Sequence, residues 1–333
     1  MNRTGEAEEV GSQHFVVLKP QSSNCVFCVL LKGVTALSLV YTLQLTVDVS
    51  QYGVQQFSEM ESYMTSAERV LTYTRIQSEP GYQNQSQPPT DWPDRGQVKL
   101  QNLGLVYYKG GPEVLKDLNF TVNPREKVGI AGRTGAGKSS LVSAFFRMPE
   151  PSGDVIVDDI KITGINLQRA RGVMSVITQD PILFNGSLRM NLDPFEKHGD
   201  QEIWTALEEA SLTALVEKLP KQLYEEIKEG GANFSVGEKQ LICLARALLQ
   251  KNRIMILDEA TANLDYKTDQ LIQETIRLKF QDCTVFTIAH RVNTIMDYDR
   301  VLVLDNGKVV EFDRPERLLQ HEGGYFWKLY HQL

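Results

Sequence analysis

Residues 129–141 read GIAGRTGAGKSSL, a short apolar strand that runs into a glycine-rich turn, a lysine and two serines. The spacing of Gly132, Gly137, Lys138 and Ser139 matches the pattern G-x-x-x-x-G-K-[ST]. In loops of this kind, bare backbone N–H groups surround phosphate oxygens, the lysine neutralises their charge and the hydroxyl holds Mg²⁺. A ligand-free strand-to-helix turn would need the glycines but neither the lysine nor the serine. The stretch therefore predicts a nucleoside triphosphate site.

The composition indicates a folded, acidic chain. Its 333 residues are 42% hydrophobic, which is enough for one large domain with an appendage or for two domains. The formal net charge of −7 argues against a general nucleic-acid binder, since such proteins are usually basic. Four cysteines, at positions 25, 28, 243 and 283, suit reduced thiols in the cytosol better than a disulfide framework.

The N-terminal part of the chain is predicted to be helical and apolar. Residues 1–25 are unplaced and too charged for a secretory signal. Residues 26–47, VFCVLLKGVTALSLVYTLQLTV, could span the ~30 Å apolar layer of a membrane, with Lys32 near enough to one end to reach the interface. A buried or amphipathic helix is the alternative. Residues 48–76 keep apolar side chains at spacings of three and four, so residues 26–76 form a candidate transmembrane helix with a cytoplasmic helical extension.

The rest of the chain is predicted to be one α/β domain after a linker. Residues 77–96 carry four prolines and predict a linker, with a domain boundary near residue 96. Within residues 97–333, apolar strands alternate with helical stretches, which is typical of a mainly parallel sheet flanked by helices. An antiparallel β subdomain is expected at the start of this domain, and an inserted, mostly helical subdomain is expected over residues 187–250. The predicted strands are 98–107, 114–121, 126–131, 253–258 and 283–290.

A second motif supplies acidic groups. Residues 254–259, IMILDE, have the form of a buried central strand that ends in two carboxylates. In phosphoryl-transfer sites of this type, Asp258 would assist Mg²⁺ through its water shell and Glu259 would polarise the attacking water. A helix N-terminus with ordinary acidic residues is the alternative, and the short apolar run before them disfavours it.

Two further segments carry a family resemblance. These are FSVGEKQLICLARALL, residues 234–249, and ATANLD, residues 260–265. Together with the two phosphate motifs, and in this order, they resemble the ATP-binding cassette (ABC) ATPases. The resemblance covers roughly residues 34–331 and is strongest to the second cassette of the multidrug-resistance-associated subfamily of ABC exporters. It implies a P-loop NTPase fold, with ATP and Mg²⁺ as cofactors.

The resemblance also implies roles for individual residues. It makes Glu259 the catalytic base, Gln179 in VITQDP a sensor of the γ-phosphate and Mg²⁺ that faces the membrane domain, and His290 in TIAHR the switch histidine. Asp265 ends the D-loop. The Mg²⁺ ligands would be Ser139, Gln179 and Asp258, and the nucleotide contacts would be Tyr107, Gly132, Thr134, Gly135, Ala136, Gly137, Lys138, Ser139 and Ser140. Tyr107 is the expected adenine-stacking ring, with Tyr108 as the alternative.

The signature segment, Ser235 to Glu238, is expected to act on another cassette. It precedes a long apolar helix, so its N–H groups and the positive helix end form an anion site. In the resembled family, the matching segment closes on the γ-phosphate held by a second cassette. The resemblance gives this role to Ser235, Val236, Gly237 and Glu238. The second cassette would belong to a homodimer or to the missing half of a transporter. Val236 stands where glycine is usual, and Glu238 stands where glutamine is usual. The Glu238 carboxylate either competes with that phosphate, or points into water or pairs with Lys239.

The resemblance implies ATP hydrolysis that powers export of organic anions or drug conjugates across a membrane. The ATPase domain would be cytoplasmic, and the partners would be transmembrane domain helices and the membrane, with no nucleic acid. The chain has one cassette and at most one spanning segment, so a fragment of a longer exporter is expected. A soluble ABC ATPase of repair or translation is the alternative. A GTPase would need a guanine-reading N-K-x-D motif, and the sequence has none.

Overall fold

The computed structural model describes residues 26–258, 266–289 and 292–331. The chain divides into two compact units, Met1–Gln77 and Ser78–Leu333. In the first unit, the described residues form one helix of 49 residues, α1 (Val26–Thr74), which is about 74 Å long at a rise of 1.5 Å per residue. It includes the predicted spanning stretch and the predicted extension except for its last two residues, 75–76. Among the described residues it is the helix that is long and apolar enough to cross a membrane, and its large apolar side chains are exposed.

The second unit is built on a parallel sheet. Across its described residues this sheet has six strands, in the order β12-β11-β3-β10-β9-β6, and all of them are parallel except β12, which runs antiparallel to β11. In chain order, these strands are β3 (Lys127–Ala131), β6 (Met174–Ile177), β9 (Ile254–Asp258), β10 (Thr284–Ile288), β11 (Arg300–Asp305) and β12 (Lys308–Asp313). The central strands β9 and β10 are buried on both faces, which explains the continuous apolar run of β9 over residues 254–257.

An antiparallel β subdomain adjoins this sheet, and two of its strands come before β3 in the chain while two come after it. Its strand order is β2-β1-β4-β5. The strands are β1 (Val98–Val106), β2 (Glu113–Val122), β4 (Ser152–Val157) and β5 (Ile160–Lys161). A third, short pair joins β7 (Gly186–Ser187) to β8 (Glu226–Ile227) within the helical insertion.

Helices flank the sheets and form the insertion. The insertion contains α4 (Leu188–Leu192), α5 (Asp200–Glu209), α6 (Thr213–Glu217) and α7 (Val236–Gln250). The other helices of the unit are α2 (Lys138–Phe145), α3 (Leu167–Gly172), α8 (Tyr266–Lys279), α9 (Pro315–Gln320) and α10 (Tyr325–His331). The predicted fold class is therefore confirmed: a mainly parallel α/β domain with an antiparallel β subdomain and a helical insertion.

The proline-rich segment packs on the second unit. Arg147 is 3% exposed, pairs with both carboxylate oxygens of Glu150 at 2.7 and 2.8 Å, and donates from Nη2 to the Pro80 carbonyl at 3.1 Å. Trp92 is buried, and its Nε1 donates to the Val157 carbonyl at 2.9 Å. A buried guanidinium needs acceptors, and this segment supplies one. The boundary between compact units therefore falls after Gln77, whereas the prolines of residues 77–96 predicted a domain boundary near residue 96.

Candidate functional site

The glycine-rich loop joins the end of β3 to the start of α2. Gly137 is the residue that caps α2, and its φ of 105° lies in the left-handed region that favours glycine. A Cβ at this position would lie 2.9 Å from Cδ2 of Leu115. The turn therefore needs a residue without a side chain, and it leaves the first N–H groups of α2 facing the loop.

Lys138 lies across the loop. Its ammonium donates to the carbonyl oxygens of Gly132 at 2.9 Å and Arg133 at 3.2 Å. These contacts hold a positive charge beside the backbone that is predicted to surround phosphate. Of the other predicted nucleotide contacts, Thr134, Gly135 and Ser139 are exposed, Ser140 is half-buried and Ala136 is buried.

A tyrosine side chain reaches the same loop. The hydroxyl of Tyr107, directly after β1, donates to Oγ of Ser140 in the first turn of α2 at 3.0 Å. The Tyr107 side chain is 48% exposed, so its ring is open to a ligand. The structure therefore brings the predicted adenine-stacking residue into contact with a predicted phosphate contact.

The register of the parallel sheet brings the end of β9, Asp258, to the same edge as the glycine-rich loop. Ile288 of β10 is paired with Asp258 on one side and with Ile130 on the other, so the ends of β9 and β3 lie at the same edge of the sheet. Gln179 follows β6, whose Ile177 is paired with Leu257. The loop and the Gln179 segment thus follow strands that end at one edge of the sheet, and Asp258 is the last residue of another strand that ends there. Domains of this α/β topology bind ligands at that edge.

Three of the predicted residues cannot be placed. Glu259, Asp265 and His290 lie outside the described residues, and their roles stay predictions. The structure does describe Asp258, a half-buried residue at the end of β9, and Ala289, whose N–H donates to the Ile130 carbonyl at 3.1 Å.

The signature segment forms a reciprocal cap at the N-terminus of α7. Ser235 caps α7, and the Glu238 carboxylate accepts from the Ser235 N–H at 2.7 Å and from its hydroxyl at 2.8 Å. The Glu238 N–H in turn donates to the Ser235 hydroxyl at 3.3 Å. Lys239 donates instead to the Gly230 carbonyl at 2.7 Å, so the expected alternative of a Glu238–Lys239 pair is wrong. Val236 is exposed, and Gly237 is half-buried.

Two residues position the site although the sequence patterns gave neither of them a role. Gln240 of α7 is buried, and its Nε2 donates to the carbonyls of Thr178 at 3.0 Å and Gln179 at 2.9 Å, which ties the Gln179 segment to the signature helix. Gly307 donates its N–H to the Ala136 carbonyl in the glycine-rich loop at 3.0 Å. The dipeptide Asn306-Gly307 between two apolar runs is a hairpin signal that could have located this second contact.

The donor set suits a nucleotide with Mg²⁺. The loop offers backbone N–H groups at places where a side chain would intrude: a Cβ at Gly132 would lie 2.5 Å from the Leu304 carbonyl oxygen. The hydroxyl of Ser139, the amide oxygen of Gln179 and the carboxylate of Asp258 are hard oxygen ligands of the kind that Mg²⁺ takes, alongside phosphate and water. Within the described residues there is no cluster of three or more His, Cys, Asp or Glu side chains that could hold a metal by itself.

An apolar groove lies beside the Gln179 segment. Its volume is about 320 Å³, and its lining includes Val176, Ile182, Phe184, Cys243 and Arg246. Phe184 is 61% exposed and Ile182 is 60% exposed. In the part of the chain that the structure describes, the buried Nη2 of Arg246 makes no hydrogen bond. Burial raises the pKa of the Cys243 thiol, which keeps that side of the groove uncharged.

Comparisons with known proteins point to the same family. The ABC transporter family matches residues 115–262. The chain is 48% identical to human "ATP-binding cassette sub-family C member 4" over 319 residues, which are 96% of this chain and 24% of that protein. It is also 48% identical to "Multidrug resistance protein mrp-7" of Caenorhabditis elegans over 299 residues, 89% of this chain and 20% of that protein.

A solved structure of an ABC exporter is also similar to this chain. A bacterial Atm1-family ABC exporter with ATP bound superposes with a TM-score of 0.74 and 28% identity, over 82% of this chain and 48% of that one. The chain spans about a quarter of the length of the curated relatives that it matches.

Proposed function

The chain belongs, through its nucleotide-binding domain, to subfamily C of the ABC transporters, and from this premise we propose that it binds and hydrolyses ATP to power export. The cargo would be organic anions or drug conjugates, as the family resemblance implies; the words "multidrug resistance" stand in the names of two relatives. The observation that carries the proposal is the shared edge of the sheet, where the Lys138 loop follows β3 and Asp258 ends β9 in the same register.

Lys138 and the proposed Mg²⁺ ligands would act on the phosphates of the nucleotide. Lys138 exchanges the carbonyls of Gly132 and Arg133 for phosphate oxygens, which offer it a full negative charge. Ser139, Gln179 and Asp258 would hold Mg²⁺, which when bound neutralises charge that develops on the phosphates.

The residues outside the described range complete the proposal. Glu259 accepts the proton of the attacking water, and His290 contacts the γ-phosphate, as the family resemblance implies.

Tyr107 would stack on the adenine, for which its exposed ring is available. Tyr108 is less well supported for this role, because the hydrogen bond to the loop comes from Tyr107.

A second cassette is the proposed partner of the signature segment. Ser235, Val236, Gly237 and Glu238 lie at the N-terminus of the 15-residue helix α7, where the helix dipole favours an anion. They would contact the γ-phosphate held by the partner. The partner is either another copy of this chain or the other half of a transporter.

Transmembrane helices are the proposed second partner. The groove beside Gln179 has exposed apolar side chains next to a buried, unpartnered guanidinium nitrogen, so it suits a segment that brings apolar and acceptor groups together. Independently, the exposed apolar surface of α1 supports a place in a membrane over residues 26–47. The ATPase domain would then lie in the cytoplasm, as the family resemblance implies. The alternative, a soluble ABC ATPase, is not favoured by the exporter relatives.

Two measurements test the proposal. Purified chain should release phosphate from ATP only with Mg²⁺, and the rate should rise more steeply than linearly with protein concentration because two cassettes form each site. In parallel, membranes from expressing cells should retain the chain after a carbonate wash. Failure to bind ATP at all would overturn the ATPase assignment, and complete extraction by carbonate would overturn the membrane assignment.

A further inference from the structure

The hydrogen bond between Tyr107 and Ser140 joins two parts of the candidate site. Tyr107 is the first residue after β1, whereas Ser140 is the third residue of α2. The Tyr107 hydroxyl donates to Ser140 Oγ at 3.0 Å. One residue is expected at the base of the nucleotide and the other at its phosphates, so this bond links the two ends of the site.

The direction of the bond matters for its chemistry. A serine hydroxyl can accept one hydrogen bond while it donates another. Since Ser140 accepts from Tyr107, its own proton is directed elsewhere and can be donated to a phosphate oxygen. Hydrogen bonds in such a chain polarise and strengthen one another.

The neighbouring tyrosine lacks this contact. Tyr108 is 68% exposed, and its ring packs near Gly111, where an added Cβ would lie 2.9 Å from the ring. Within the described part of the chain, the Tyr108 hydroxyl makes no hydrogen bond to the loop. The link to the phosphate loop is therefore specific to Tyr107.

We propose that Tyr107 is a positioning residue for the phosphates as well as a platform for the base: its hydroxyl orients Ser140 to donate to a phosphate oxygen. The inference rests on the proposed function, since it assumes that the loop binds a nucleotide. It predicts that removing the Tyr107 hydroxyl, which would act on the phosphates only through Ser140, weakens the binding of a ligand that has no base.

The test is the affinity of the full chain for inorganic tripolyphosphate with Mg²⁺, measured by calorimetry. Tyr107→Phe keeps the aromatic ring and should lower this affinity by about 2- to 10-fold, the effect of one hydrogen bond. Ser140→Ala should lower it as well, and the double variant should lose no more than Ser140→Ala alone, because both changes break one chain of bonds.

The control is Tyr224→Phe, which removes an exposed tyrosine hydroxyl that bonds Asp200 at 3.2 Å in the helical insertion. It should leave tripolyphosphate affinity unchanged, and all variants should show the parent's thermal midpoint. Unchanged tripolyphosphate affinity in Tyr107→Phe, or additive losses in the double variant, would overturn the inference. If the parent chain binds neither ATP nor tripolyphosphate, the proposed function fails instead.

Discussion

Glu238 accepts two hydrogen bonds from Ser235, one from the backbone N–H at 2.7 Å and one from the hydroxyl at 2.8 Å. These are donors that the signature segment is proposed to offer to the γ-phosphate of a partner cassette. The side chain thus occupies its own helix N-terminus with a negative charge, which the positive end of the helix dipole stabilises. A phosphate must displace this carboxylate or bind beside it, at a cost in like-charge repulsion.

Glu238→Gln should therefore tighten ATP-dependent dimerisation by several-fold. Glutamine can still complete the reciprocal cap, so the fold should be kept while one negative charge is removed. The gain should shrink as salt rises, because part of the effect is electrostatic. Sedimentation at low and high ionic strength measures it, with Glu259→Gln present in both proteins to prevent turnover.

Glu217→Gln is the matched control, since it removes one charge from an exposed site at the end of α6. It should leave dimerisation unchanged. If Glu238→Gln and its parent dimerise equally at low ionic strength, the carboxylate does not oppose the phosphate.

Lys138→Ala should abolish tight nucleotide binding. The ammonium is held beside the loop by two carbonyls, and a charge-assisted bond to phosphate contributes on the order of 1.5–3 kcal/mol, or ~10- to 100-fold in affinity. Titration with a fluorescent ATP analogue measures the loss. Lys221→Ala, at an exposed position outside the site, should bind as the parent does. Equal affinities of parent and Lys138→Ala would contradict the assignment of the loop.

Glu259→Gln should keep ATP and Mg²⁺ but stall hydrolysis, because an amide cannot accept the proton of the attacking water. A stable dimer that depends on ATP should then appear in gel filtration. Glu274→Gln, an exposed acid on α8, should turn over ATP at the parent rate. Parent-level turnover in Glu259→Gln would rule out its role as the base.

Gly307→Ala should destabilise the domain more than Gly323→Ala. Both glycines have positive φ, 76° and 85°, so each change carries the ~1–2 kcal/mol cost of a left-handed residue. Only at Gly307 would the new Cβ overlap a backbone atom, the Val114 carbonyl oxygen, whereas Gly323 has open space around it. Denaturant unfolding of the two variants measures the difference, and equal losses would show that the turn relaxes freely.

The sequence determined the class of the domain and located five of its strands, β1, β2, β3, β9 and β10. The run before the phosphate loop predicted a strand over 126–131, and the structure has β3 at Lys127–Ala131. IMILD likewise predicted a buried strand that ends at Asp258, and that strand is β9. These predictions succeed because local pattern carries them: continuous apolar runs for central strands, and glycines, lysine and serine at set spacings for a phosphate loop.

Only the tertiary structure decided which side chains meet. It selected Tyr107 over Tyr108 for the bond to Ser140, and it turned Glu238 back onto Ser235 rather than toward Lys239. It also brought Gly307 under the loop at Ala136, and it brought the Pro80 carbonyl to the buried guanidinium of Arg147. Most of these partners are distant in the chain, and the others depend on a choice among side-chain rotamers. Sequence spacing encodes neither, because both follow from the packing of elements that assemble only when the sheet is complete.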